Sequence, residues 1–230
     1  MHHADTLTPR ERRHEQTLAL ITDAAMRLVE EGGLEALSIN KLAAVVDYTP
    51  GALYRYFDSK DALLSALVLR VLGDIGRHIE RAVDALGTRL SPLARVVAIV
   101  HGYRTFARAE PHRFGLFGMT MADPRILLVE HKTAAPVAAA SVAALQPLAN
   151  AFAEAAAAGQ LAAGDAVERT LLVFGLLQGV LQLHKQVRFA PQLDPQHLAL
   201  RGTRALLLGW GAEPRTVDHA IERVIKGERT

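Results

Sequence analysis

Residues 38–60, SINKLAAVVDYTPGALYRYFDSK, carry side chains suited to recognising a polyanion with readable edges. Arg55 can pair bidentately with guanine and Asn40 with adenine, the pairings that the major-groove edges of DNA permit. Lys41 and Lys60 add point charges for phosphate oxygens. Ser38 and Thr49 each open a short helical pattern, where free amides and a hydroxyl can meet a phosphate. Pro50 and Gly51 give the second pattern a low-profile first turn, so its backbone can lie close to base edges. Tyr54 is a stiff phenol that reaches outward at little entropic cost. Leu53 and Phe57, four apart, belong to a core, and Tyr56 suits either role. Two short helices with a tight break between them form the layout of a helix-turn-helix. The same spacing also describes any short helical pair in an all-α protein with its tyrosines packed inside, so the segment alone leaves both readings open.

The rest of the chain has to position this segment. Ten prolines would point to loops, yet in Thr49-Pro50, Ser91-Pro92, Glu110-Pro111, Asp123-Pro124, Asp194-Pro195 and Glu213-Pro214 the proline follows a residue able to cap a helix. Proline fits the first helical position, where its missing N–H has no intrahelical partner. Strand signals are lacking, with no Asn-Gly or Asp-Gly turns and no sustained alternation. The expectation is an all-α chain. A first helix should run from about 15 to 31, stopped by Gly32-Gly33. Ser38 should cap a second helix ending near Val46, and Thr49 a third closing at Phe57-Asp58. Ser59 should cap a long fourth helix to about Leu86, with Leu64, Leu67, Val71, Ile75, Ile79 and Val83 along one stripe. Further helices are expected at roughly 92–109, 111–121, 124–130, 134–159, 165–189, 195–210 and 215–226.

Bulk properties narrow the class. Of 230 residues, half are apolar, enough for a buried core. The absence of cysteine excludes disulfides, thiolate metal sites and cysteine nucleophiles. The charged N-terminal stretch MHHADTLTPRERRHEQ has no apolar core of the kind a signal peptide needs. Residues 133–153 lack charge, but alanine is weakly apolar and Pro136 and Pro147 interrupt the run, so no membrane span is expected. The expected location is cytoplasmic, or nucleoid-associated when bound to DNA. Residues 1–60 carry seven Lys/Arg against nine Asp/Glu. The acids crowd 30–35 and the bases the start and 41–60, a distribution that still offers a local positive face.

The ordered set Ser38-Ile39, Leu42-Ala43, Thr49, Gly51-Ala52-Leu53-Tyr54, Tyr56-Phe57 and Ser59-Lys60-Asp61-Ala62-Leu63 resembles the TetR family of one-component transcriptional repressors. The resemblance covers about residues 14 to 70. Two positions depart from the family pattern: Asp47 stands where the turn glycine is usual, and Tyr56 where histidine is frequent. Aspartate tolerates the left-handed conformation, so the turn survives. The resemblance implies that Ser38, Thr49, Tyr54, Tyr56 and Lys60 face phosphate, and that Asn40, Pro50, Gly51 and Arg55 lie nearest the bases. It also implies an arm with Arg10, Arg12 and Arg13 entering an adjacent minor groove, the alternative being a solvated tail. The expected division is a DNA-binding unit at 14–74 and a ligand-binding and dimerisation unit at 75–230.

In the larger part, TLLVFGLLQGVLQL at 170–183 and LLLGW at 206–210 are apolar nearly all round, as helices buried on more than one side are. In a TetR-like chain the helices at about 165–189 and 195–210 would form a homodimer, with Gly175, Gly179, Gly202 and Gly209 allowing close approach. His101, Tyr103, Phe114, Phe117, Met121, Phe174 and Gln178 make up a candidate effector site, since aromatics and methionine with a few polar groups suit an apolar or aromatic small molecule. Taken singly, each is as well read as core. The expected function is a ligand-responsive repressor of a palindromic operator in double-stranded DNA. No HExxH, GxSxG, Walker or dinucleotide-binding signature supports an enzyme, and no cofactor or metal is expected. The alternative is an all-α partner-binding protein with weakened or lost DNA binding.

Overall fold

The computed structural model describes residues 8–87, 89–122, 130–190 and 192–227. Among the described residues there are ten α-helices and no strand. The helices are α1 (Pro9–Gly32), α2 (Ile39–Val45), α3 (Pro50–Leu53), α4 (Lys60–Asp84), α5 (Pro92–Ala109), α6 (Pro111–Ala122), α7 (His131–Ala157), α8 (Ala166–Leu181), α9 (Pro195–Gly209) and α10 (Pro214–Gly227). Six of them open on a proline, as the sequence pattern predicts. The helix expected at 124–130 lies almost wholly outside the described residues.

Capping explains most boundaries, including one that departs from expectation. Thr8 accepts from the Glu11 amide at 3.3 Å, and the Glu11 carboxylate accepts from the Thr8 amide at 2.7 Å. This capping box, with Pro9 at the first position, starts α1 well before residue 15. Arg10, Arg12 and Arg13 are therefore on the first turns of a helix, not on an extended arm. Glu213 caps α10 through the amides of Arg215 (3.0 Å) and Thr216 (2.6 Å). At the other end of the chain's core, α8 tightens into a 3-10 segment at Gln182–Arg188 where one continuous helix was expected.

The turn between α2 and α3 is a Schellman closure. The Tyr48 amide donates to the Ala43 carbonyl at 2.9 Å, and Asp47 between them has φ +58°. Aspartate holds this left-handed position at modest cost, whereas a β-branched residue clashes with its own carbonyl. Asp47→Val is expected to destabilise the protein by about 1–2 kcal/mol, while Asp47→Gly keeps full stability. Urea unfolding of the two variants is the check.

Leu42 of α2 and Leu53 of α3 are buried in a core shared with Ile21 and Leu28 of α1 and Leu63 and Leu67 of α4. The long α4 then leaves this unit and packs along α5 and α7. Its crossing with α5 is backbone-close: a Cβ on Gly102 would stand 2.8 Å from the Ile79 Cα. Among the described residues only α7 is long and apolar enough to cross a membrane. It is part of the bundle, with Val137, Leu148, Ala151 and Phe152 buried.

Candidate nucleic-acid interface and effector cavity

The helix-turn-helix presents one polar face. Ser38, Asn40, Lys41, Thr49, Pro50, Gly51, Tyr54, Arg55 and Lys60 are all exposed. Tyr54 is a large aromatic left 49% exposed while its neighbour Leu53 is 2% exposed, so the split between outward and core positions is sharp. Three hydroxyls cap the helices: Ser38 accepts from the Lys41 amide (3.2 Å), Thr49 from Ala52 (3.2 Å) and Ser59 from Ala62 (3.1 Å). Each hydroxyl is thereby fixed at a helix N-terminus with its own proton still available to an anion. An added Cβ at Gly51 would meet nothing within 4 Å, so the first turn of α3 is open to an approaching surface.

Tyr56 differs from the others. It is half-buried, stacked on His14 of α1 (centroids 5.2 Å) and edge-on to Tyr48 (6.2 Å). Its ring braces the turn after α3, which is regular helix only to Leu53 and continues through three-residue turns such as Tyr56 N–H to Leu53 C=O at 2.9 Å. Asp58, an acid next to this face, is engaged by Lys132 of α7 at 3.2 Å.

The second feature is an apolar cavity of about 70 Å³ walled by five helices. Leu72, Ile75 and Ile79 of α4 face Ile99 and Tyr103 of α5, Phe117 and Met121 of α6, Leu145 and Leu148 of α7, and Phe174 of α8. The Tyr103 hydroxyl donates to Gln178 Oε1 at 2.8 Å. Burial raises the Tyr103 phenol far above its ordinary pKa, so it remains a neutral donor. Of the sequence candidates, Tyr103, Phe117, Met121 and Phe174 line this space, and Gln178 sits behind Tyr103.

His101 and Phe114 do not line it. Residues two apart on a helix point about 200° from each other, so His101 cannot share a wall with Tyr103. It lies instead beside Arg104 (3.0 Å) and faces a different recess with His78, Arg81 and Thr105. Phe114 packs edge-on behind Tyr103 at 5.6 Å. The aliphatic wall from α4 and α7 was not among the candidates, although Ile75 and Ile79 belong to the apolar stripe that the sequence shows on α4. Among the described residues no cluster could hold a metal ion.

The interface and the cavity are joined. Arg113 of α6 donates to Glu30 at the end of α1 (2.6 Å) and to Asp74 of α4 (3.1 Å), and His112 meets the Glu30 carbonyl. One turn further along α6, Phe117 enters the cavity.

Residues 21–67 match the family described as bacterial regulatory proteins, tetR family, and residues 96–206 match the tetracyclin repressor-like C-terminal domain. The chain belongs to the TetR family. One relative, the HTH-type transcriptional regulator BetI of Burkholderia thailandensis, is 34% identical over 86 residues, which are 36% of this chain and 41% of that protein. The chain spans between about a third and a half of the curated relatives it matches. Two solved structures share the TetR fold over most of the chain. RolR in complex with resorcinol has a TM-score of 0.61 at 18% identity, covering 93% of this chain and 95% of its own. AibR in complex with isovaleryl coenzyme A and operator DNA has a TM-score of 0.62 at 20% identity, covering 83% and 97%.

Proposed function

We propose that the chain is a ligand-responsive DNA-binding regulator that represses transcription from a palindromic operator and is released by a small apolar effector. The observation carrying this reading is α6, which has Phe117 in the cavity and Arg113 on both α1 and α4. An effector that wedges Phe117 outward shifts α6, and the Arg113 contacts pass that shift to the helix-turn-helix. The exposed set Ser38, Asn40, Lys41, Thr49, Pro50, Gly51, Tyr54, Arg55 and Lys60 supplies the phosphate and base contacts, with Tyr56 supporting the turn. RolR and AibR, solved with a small molecule bound, support an effector role for the bundle. In this reading the protein is a cytoplasmic regulator and not an enzyme. Its DNA-binding unit (14–74) and effector unit (75–230) share α4.

An exposed apolar stripe supports a dimer. Val167, Leu171 and Leu172 of α8 are 60%, 54% and 48% exposed, and Gly175 and Gly179 continue the same side with nothing within 4 Å of an added Cβ. Gly202 of α9 already lies against Leu176 within the chain, so α8 and α9 present one joint surface. Binding a palindrome would need a second copy on this surface to hold its α3 about one DNA turn from the first. Leu171→Asp combined with Leu172→Asp is expected to give a monomer by sedimentation equilibrium and to lose operator binding, with the helical content unchanged.

The test of function is fluorescence polarisation against DNA flanking the chain's own gene. Binding should fall steeply with salt and be reversed by an apolar effector. Ligand binding with no DNA binding at any salt would favour the partner-binding alternative.

A further inference from the structure

The 70 Å³ cavity is well below the roughly 300 Å³ at which small-molecule sites begin. Alone it holds part of a ligand. It adjoins a groove of about 600 Å³ between α4, α5 and α7, and four residues, Leu72, Ile79, Ile99 and Ala144, belong to the walls of both. The groove is wide because its lining includes Gly73, Gly76, Ala140 and Ala143, side chains that fill little space. Its floor is apolar along its length, and its charged groups are Glu80, Asp84 and Arg95.

Those charges do not balance. Arg95 is paired with Glu154 at 2.5 Å, whereas Glu80 and Asp84, one turn apart on α4, form no ion pair among the described residues. Pro147 also lines the groove and has no N–H, so the Ala143 carbonyl beside it lacks its usual intrahelical donor. The charge lining the groove is therefore net negative.

Resting on the effector reading above, we propose that the effector is an elongated amphiphile with a cationic amine end. Its apolar tail occupies the aromatic inner cavity at Tyr103, Phe117 and Phe174, its middle crosses the Leu72–Ile79–Ala144 wall, and its ammonium lies near Glu80 and Asp84. The inner cavity carries no charged side chain, so the charged end cannot enter first.

The test is calorimetry on the full chain with toluene, n-octanol, octanoate and a series from butyl- to octylammonium. Affinity for the ammonium series is expected to rise about fourfold per methylene, with octylammonium several-fold tighter than octanol and octanoate weakest. Glu80→Gln with Asp84→Asn should bring octylammonium down to octanol. Gly76→Phe, built where an added Cβ meets nothing within 4 Å, should abolish the gain with length and leave toluene binding intact. Toluene binding with no dependence on chain length, or octanoate as the tightest probe, would overturn the amphiphile while leaving the effector cavity standing. Failure of every probe, toluene included, would remove the cavity reading itself.

Discussion

Arg55→Ala is expected to abolish operator recognition while leaving the fold intact. An arginine bidentate to guanine contributes about 1–3 kcal/mol of discrimination. A two-fold symmetric complex loses that contact twice, so affinity should drop by roughly 30-fold or more. Arg55 is exposed and lies just beyond the Tyr54 cap of α3, so its removal takes nothing from the core. Tyr54→Ala should weaken every sequence alike, and without altering the salt slope, because a phenol on a phosphate releases no counterion. Lys60→Ala, by contrast, should flatten the slope by about one per half-site. Polarisation titrations at several salt concentrations separate the three outcomes, and thermal melts confirm that each variant is folded. Unchanged affinity of Arg55→Ala would remove α3 as the reader.

Gly102→Val should force the α4–α5 crossing apart and destabilise the bundle. The new Cβ would stand 2.8 Å from the Ile79 Cα and 3.2 Å from the Ala82 Cβ. A backbone atom cannot rotate aside, so α4 and α5 must separate. Replacing a helical glycine ordinarily gains up to about 1 kcal/mol in propensity, but overpacking costs about 1–3 kcal/mol. Valine's branched carbon adds more steric load than alanine's methyl, so the net is destabilising. The expected loss of about 2 kcal/mol lowers the melting temperature by about 4–8 °C for a chain of this size. Gly76→Ala, in the groove wall of the same α4 where an added Cβ meets nothing within 4 Å, should do the reverse and stabilise by a few tenths to 1 kcal/mol, at about the glycine-to-alanine propensity. Opposite signs from two glycines on the α4–α5 pair would show that close approach, and not helix propensity, governs the crossing.

Helix order was largely legible because proline and cap residues mark starts irrespective of tertiary context. The exception is instructive. Thr8-Pro9 with Glu11 has the same start signature as Thr49-Pro50, yet the resemblance implies an arm there, with a solvated tail as the alternative. The division of Leu53 inward and Tyr54 outward followed from helical spacing and held in the structure. The cavity was legible only in part, because composition picks out aromatics without saying which way they face. His101 and Tyr103 share a helix and an apolar neighbourhood, but the turn between them sends one to each side of α5. The aliphatic wall from α4 and α7 depends on how two distant segments cross, and no local pattern carries that.

The placement of Arg113 and Phe117 on successive turns of α6 has a thermodynamic corollary. If occupancy of the cavity lowers operator affinity by some factor, bound operator must lower effector affinity by the same factor. A titration of effector into the operator complex should therefore have a higher midpoint than one into free protein. The ratio of the two midpoints measures the whole coupling free energy. Arg113→Ala, which releases α6 from Glu30 and Asp74, should bring that ratio towards one.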